Sequence, residues 1–245
     1  MRVYRMAERN IGIESLYERV HVLCAAYETV GVPDFVVRIT QEDIDREREQ
    51  AAREDRSNGQ PVQIWKEEYL EELAVYRQIA ERMPAYDTFL LHGSAVSVDA
   101  KGYLFAARSG VGKSTHAQLW KALLGDRMIY VNDDKPLIRI TAEAALVYGT
   151  PYDGKHRRST DTAVPLQAIC LLQRGTENTI RRISAREAFP RLMQQVYRPQ
   201  DRAALIQTMS LLQALTDRVR FYDLTCNMAP DAARVAFEGM GGTLS

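Results

Sequence analysis

The sequence predicts an α/β protein organised around a phosphate-binding loop, and three observations predict it. A glycine-rich turn, Gly110-Val111-Gly112-Lys113-Ser114, lies between an apolar run, Tyr103 to Ala107, and a segment with Leu119, Trp120, Leu123 and Leu124 at helical spacing. A second short apolar run, Met128 to Val131, ends in the carboxylates Asp133 and Asp134. Strand-like and helix-like stretches follow one another along most of the chain, the pattern of a sheet flanked by helices.

Composition sets the frame for these motifs. With 245 residues, 46% of them hydrophobic, the chain can bury a substantial core as one large domain or one domain with an appendage. We expect an N-terminal α/β segment over residues 1–84 that packs on a core over 85–245, the two forming either separate domains or one continuous one. Lysine plus arginine and aspartate plus glutamate balance at 32 each, so charge gives no reason to expect nucleic acid or an anionic membrane as a partner. Cys24, Cys170 and Cys226 are odd in number, far apart and without C-x-x-C spacing. They read as buried small apolar residues rather than a disulfide framework or zinc site. The start of the chain lacks a signal-peptide core and no run is long enough to span a bilayer, so a soluble cytoplasmic protein is expected.

In order, Val3 and Tyr4 give a short apolar start, and Ile13, Leu16, Tyr17, Val20, Leu23, Cys24 and Tyr27 follow at mostly helical spacing. His21 on this stretch reads as a packed residue. Phe35 to Ile39 reads as a strand. Thr40 to Gly59 is almost wholly charged, a solvated helix or mobile flap capped by Thr40 with Asp43 and stopped by Ser57-Asn58-Gly59. Tyr69, Leu70, Leu73, Tyr76, Ile79, Ala80 and Met83 form one stripe of a helix that ends at Pro84 and is expected on the central sheet. Thr88 to Val98 reads as one β run, turning at Asp99 to Gly102 into the strand that feeds the loop. Beyond the loop come strands at 128–131, a hairpin at 137–140 and 145–148, strands at 168–172 and 179–183, and a helix opened by the capping box Ser184 to Glu187 and running to about Gln195. A helix over 201–217, a strand over 220–226 and a helix over 231–239 close the chain. The polar connection 149–162 is long enough to suggest a function.

Each residue of the loop has a physical reason. Glycines let successive amides turn toward phosphate oxygens, and a helix starting near Lys113 aims its positive end at the same point. Arg108, Ser109, Gly110, Val111, Gly112, Lys113, Ser114 and Thr115 are therefore the candidate nucleotide contacts. Lys113 supplies charge to the β and γ phosphates, and Ser114 a hydroxyl for Mg²⁺. The strict pattern also asks for glycine at position 107, where this chain has Ala107. Carboxylates at a strand end nearby, Asp133 and Asp134, suit metal binding and proton transfer.

Taken with His92-Gly93, these motifs resemble the HPr kinase/phosphorylase and phosphoenolpyruvate carboxykinase superfamily over roughly residues 88–150. The phrases Leu-His-Gly-Ser-Ala, Gly-Lys-Ser-Thr-His-Ala-Gln-Leu-Trp and Asn-Asp-Asp-Lys-Pro-Leu resemble its uncharacterised kinase-related branch over more of the chain. The resemblance implies the P-loop fold of that superfamily, with ATP and Mg²⁺ as cofactors, and places His92 beside the transferred phosphate. It also implies that one of Asp133 and Asp134 binds Mg²⁺ while the other takes the proton of an attacking hydroxyl. Arg108 stands where relatives commonly carry an acidic residue or proline, and no glutamate follows Tyr148, leaving Asp153 as a stand-in metal ligand. His116, on the helix after the loop, either reaches phosphate or faces solvent.

The leading expectation is an ATP- and Mg²⁺-dependent kinase acting on a hydroxyl acceptor, either a protein or peptide serine or a small polyol. GTP or pyrophosphate remain open as donors, and the resemblance leaves room for a homo-oligomer. Lys155 and Arg157 in the 149–162 loop are candidates for stabilising charge on the transferred phosphoryl group. No set of arginines for a carboxylate substrate is evident in the sequence. The competing class is a nucleotide sensor that binds without transfer.

Overall fold

The computed structural model describes residues 1–57 and 59–244, so Asn58 of the expected helix stop lies outside the described residues. The chain divides into two compact units, Met1–Arg82 and Met83–Ser245.

In the first unit, β1 (Arg2–Met6) and β2 (Arg9–Glu14) form an antiparallel hairpin, with Arg2 opposite Ile13 and Met6 opposite Arg9. This corrects the expected helical stretch from Ile13 to Tyr27: only α1 (Arg19–Cys24) is α-helical there. Period two shows in β1, where Tyr4 and Met6 are buried and Arg5 between them is exposed, while β2 buries Ile11 and Ile13 together with Gly12. The turn is Ala7-Glu8, at φ 46° and 63°. Such a tight hairpin turn usually advertises itself with glycine or asparagine, and this one does not. With β3 (Glu28–Thr29) and β4 (Phe35–Arg38), the strand order is β3-β1-β2-β4.

The charged helix α2 (Gln41–Ser57) is present as expected, and Thr40 donates from both its backbone N–H and its hydroxyl to Asp43 Oδ2, each at 2.8 Å. The apolar stripe of α3 (Glu67–Arg82) packs with α1, α2 and β4 of its own unit. His21 is held between Tyr4 Oη and Ser15 Oγ, at 2.8 and 2.9 Å, which is the packed role read from sequence.

The second unit is a nine-stranded mixed sheet with helices on both faces. Its strands are β5 (Thr88–Leu90), β6 (Ser94–Val98), β7 (Lys101–Ala106), β8 (Met128–Asn132), β9 (Leu137–Ile140), β10 (Ala145–Tyr148), β11 (Ala163–Arg174), β12 (Thr179–Ile183) and β13 (Arg220–Cys226). The main order is β5-β9-β10-β11-β7-β6-β8. β11 is the long central strand. One edge pairs in parallel with β7; the other takes β10 at Ala163–Pro165 and then β13, in parallel, from Ala168. The expected strand at 168–172 is thus only the second half of a longer one.

Alternation along β6, β7 and β11 sorts side chains to the two faces. Ala95, Leu104, Ala106, Ile169 and Leu171 face one apolar cluster with residues of α5 (Ala185–Leu192) and α6 (Arg202–Thr216). Val96, Tyr103, Phe105, Cys170 and Leu172 face the other, with Trp120 of α4 (Lys113–Leu124) and Phe237 of α7 (Asp231–Gly239). The capping box that opens α5 is fully formed.

The expected single β run from 88 to 98 is broken at Leu91–Gly93, and the break organises the site. β5 and β8 stand at opposite ends of the strand order, yet β5 connects through only three residues to β6, the neighbour of β8. Four Cα steps reach at most about 14 Å. The sheet must therefore curl until its two ends meet. The four-residue connection Asp133–Pro136, between β8 and β9, crosses the same seam, and the two crossings are bonded to each other through Leu91 N–H to Pro136 O (3.3 Å) and Gly93 N–H to Asp134 O (3.0 Å).

Candidate functional site

β7 delivers the chain into the turn Ala107–Gly112, and α4 begins at Lys113. Gly110 and Gly112 adopt φ of +78° and +124°, conformations strained for other residues. A Cβ at either would meet nothing within 4 Å, so backbone conformation rather than crowding requires glycine here. No side chain caps the start of α4, which leaves its first amides available to an anion. Ala107 needs no glycine: its side chain is buried in the apolar cluster beside Phe105 and Leu172. Arg174 at the end of β11 braces the turn, donating from Nη2 to Gly110 O (2.5 Å) and from Nε to Val111 O (3.2 Å).

The Lys113 ammonium donates to Ala107 O at 2.9 Å, and the residue is only 8% exposed. Burial pushes its pKa down, against the pull of Asp134 and Asp133. Among the described residues no carboxylate oxygen lies within ion-pair distance of it. This desolvated cation beside open backbone amides fits a phosphate group.

The seam brings the carboxylates and His92 to this lysine. Ser94 Oγ donates to Asp133 Oδ1 at 2.6 Å, and Ser114 also donates to this carboxylate. Burial raises the Asp133 pKa, and those two hydroxyls oppose it. His92 Nε2 lies 3.6 Å from Asp134 Oδ1, and Lys135 Nζ lies 3.9 Å from Asp134 Oδ2. Burial, then the Lys113 charge, holds the His92 pKa below its ordinary value, against Asp134, so the imidazole is neutral at pH 7. His92 sits in the break between β5 and β6 rather than on a continuous strand, its N–H donating to Gln195 O at 2.8 Å. Gly93 is obligatory by contact: a Cβ would lie 2.8 Å from Leu104 Cδ2 and 2.9 Å from Phe105 O.

The 149–162 loop is fastened here by a residue to which the sequence reading assigned no role. Asn132 is fully buried; its Nδ2 donates to Thr150 O (3.0 Å) and Thr150 Oγ1 (2.9 Å), while its Oδ1 accepts from the N–H groups of Asp134 (2.9 Å) and Lys135 (2.6 Å). Gly154, at φ +74°, passes so close that a Cβ would lie 3.1 Å from Asp134 Cβ. The loop's cations are arranged differently from the expectation. Lys155 is exposed, and Arg157 pairs with Asp153 at 3.6 Å. The loop charges that act on Asp133 are those of Arg158, whose guanidinium lies over the Tyr130 ring, and His156.

Asp153 is buried, accepting from Ser159 Oγ at 3.0 Å. Among the described residues no three of His, Cys, Asp and Glu converge on one position. Ser114 and Asp133 do come together, and one or two protein oxygens alongside phosphates and water are ordinary for Mg²⁺. His116 meets neither expectation: it is 2% exposed, accepts from Trp120 Nε1 at 3.1 Å, and burial lowers its pKa to about 4. Cys24 and Cys170 are buried as expected, whereas Cys226 is half-buried.

A cavity of about 390 Å³ opens beside the first residues of the turn. Its apolar floor includes Ala106, Ala107 and Leu171, and its polar wall is formed by Arg108, Arg174, Arg191, Gln173, Gln194 and Gln195. The arginines come from three distant stretches of the chain, which is why no such set was evident in the sequence.

Fold and site together define a mixed α/β protein whose curled sheet presents a glycine turn, a buried lysine and paired carboxylates at one seam. The family model described as SynChlorMet cassette protein ScmC matches residues 60–233, and the chain belongs to that family. No curated protein sequence matches the chain. Among solved structures, the HPr(Ser) kinase/phosphatase from Coxiella burnetii is similar at 12% identity, over 51% of this chain and 88% of that chain, with a TM-score of 0.26.

Proposed function

We propose that the protein is an ATP- and Mg²⁺-dependent phosphotransferase with a hydroxyl acceptor, built on a P-loop kinase-like core. The observation that carries this reading is the convergence, at one seam, of a buried lysine that has no carboxylate within ion-pair distance among the described residues, a glycine turn opening a helix, and two carboxylates with different surroundings. Asp133, joined to the Ser114 hydroxyl, is suited to hold the metal with that hydroxyl, and bound Mg²⁺ supplies charge neutralisation on the phosphates. Asp134, beside neutral His92 and Lys135, is suited to take the proton. In the reaction the acceptor oxygen forms a bond to the γ phosphorus, and the bond from that phosphorus to the bridging oxygen breaks. The electron pair leaves with ADP, and the hydroxyl proton passes to the Asp134 carboxylate. Lys113 and the first amides of α4 face the charge that shifts onto the phosphate oxygens.

The test uses two variants of the full chain. Lys113→Ala is expected to weaken ATP binding and abolish turnover while the melting temperature holds. Asp134→Asn is expected to keep ATP binding within about threefold and to lower turnover by on the order of a hundredfold. Unaltered ATP turnover in a folded Lys113→Ala protein refutes the phosphate site. ATP binding with no turnover under any acceptor, in wild type and Asp134→Asn alike, assigns the protein to the sensor class instead.

A further inference from the structure

We infer that the cavity beside the turn receives the phosphate acceptor, and that this acceptor is a small hydroxyl compound carrying an anionic group, a carboxylate or a phosphate monoester. The inference rests on the phosphotransferase reading and names the substrate class of that site.

Position is the first argument. The cavity wall includes Ala107, whose carbonyl holds the Lys113 ammonium, and Gln195, whose carbonyl holds the His92 backbone. Lys113 and His92 do not themselves line it, but each is bonded to a residue that does, which puts the cavity one residue away from both groups. On this inference a compound in it presents a hydroxyl to the γ phosphorus of the bound nucleotide. That oxygen gains the bond to phosphorus as the bridging oxygen leaves with ADP, and its proton goes to Asp134.

Charge is the second argument. Three guanidinium groups line the cavity and, among the described residues, no carboxylate does. Asp223 stands behind the wall, 8% exposed, accepting from Gln173 Nε2 at 3.0 Å, from Arg191 Nη1 at 2.8 Å and from Arg181 Nη2 at 3.3 Å. One carboxylate thus orders two lining side chains while leaving the surroundings net positive, since Arg181 is itself shared with Glu187. Arg191 spends one donor on Asp223 and has others for a ligand. Arg174 is committed to the turn backbone and contributes mainly field; Arg191 and Arg108 are the groups free to bond an anion.

Size is the third argument. About 390 Å³ suits a small metabolite and is at the lower end of ligand sites. A folded protein would offer its serine to the rim only, leaving the guanidinium wall without an anion.

The experiment compares acceptors matched in skeleton: glycerol, glycerate and glycerol 3-phosphate, beside a neutral serine peptide, each with ATP and Mg²⁺. The expected result is a kcat/KM at least a hundredfold higher for one of the anionic compounds than for glycerol. Glycerate against glycerol 3-phosphate distinguishes the two anions. Arg191→Gln is expected to raise the KM of the preferred anionic acceptor tenfold or more with ATP affinity unchanged. Gln194→Glu, which adds a carboxylate to the wall, should do the same and serves if Arg191→Gln fails to fold. Equal use of glycerol, preference for the serine peptide, or unchanged KM in both variants overturns the inference. ATP binding that responds to Lys113→Ala alongside any of those results leaves the phosphotransferase reading standing, whereas loss of that response removes both.

Discussion

Replacing Asn132 by alanine should damage both the stability of the second unit and its turnover, while leaving the nucleotide grip almost intact. The side chain is fully buried and makes four bonds of 3.0 Å or shorter, two as acceptor and two as donor. On truncation the N–H groups of Asp134 and Lys135 lose their acceptor. Both residues are half-buried, so each loss belongs near the low end of the range for an unsatisfied group, about 1 kcal/mol. Thr150 O is fully buried and loses a donor, for about another 1 kcal/mol. Thr150 Oγ1 keeps its bond to Lys135 O and adds little. The expected cost is about 3 kcal/mol, which in a unit of this size lowers the melting temperature by about 6–12 °C. Asp134 loses its backbone anchor, so turnover falls at least about tenfold, whereas ATP affinity, set by the glycine turn and Lys113, changes less than about twofold. Calorimetry with ATP titration and steady-state kinetics reads all three. A melting temperature within 2 °C of wild type, or an ATP affinity that collapses with turnover, refutes the reasoning.

Three further outcomes follow from other contacts. His116 has a folded pKa of about 4 against an ordinary 6.5, so its contribution to stability is present above pH 6.5 and lost as pH falls toward 4. Urea unfolding at pH 7, 5 and 4 should show this as roughly 3 kcal/mol, and His116→Gln, which keeps an acceptor for Trp120, should flatten that part of the profile. Arg174→Ala removes both bonds to the turn backbone and should raise the ATP dissociation constant about tenfold with little change in melting temperature; an unchanged constant shows that the turn holds its own shape. Arg157→Ala should leave kcat within about twofold, because that guanidinium is engaged by Asp153, whereas Arg158→Ala, whose charge acts on Asp133, should lower kcat severalfold.

The strand, glycine turn and helix around Lys113 were legible because each is written locally: an apolar run, two glycines, and leucines at helical spacing. The same is true of the capping box before α5 and the hairpin of β9 and β10. What escaped was written at a distance. The β1–β2 hairpin turns on Ala7 and Glu8, which carry no turn signature, so β2 went unread between the short apolar start and the helical-looking stretch from Ile13. The break at Leu91–Gly93 follows from the pairing of β5 with β9 and of β6 with β8, which no window of sequence contains. Arg108, Arg174 and Arg191 meet only because β7 and β11 run side by side and α5 ends nearby. The carboxylate pair was legible; the buried asparagine just before it, which orders one of those carboxylates and a loop together, resembles any strand end until its four bonds are seen.

The seam has a kinetic consequence. His92 and Asp134 face each other only after the β5–β9 end of the sheet has met the β6–β8 end, a contact between segments whose ordering depends on almost every strand in the unit. Local elements such as α4 and the β9–β10 hairpin can form before that meeting, but the constellation at the seam cannot. In a refolding time course, burial of Trp120 between α4 and β7 should therefore appear first, and competence to turn over ATP should return last.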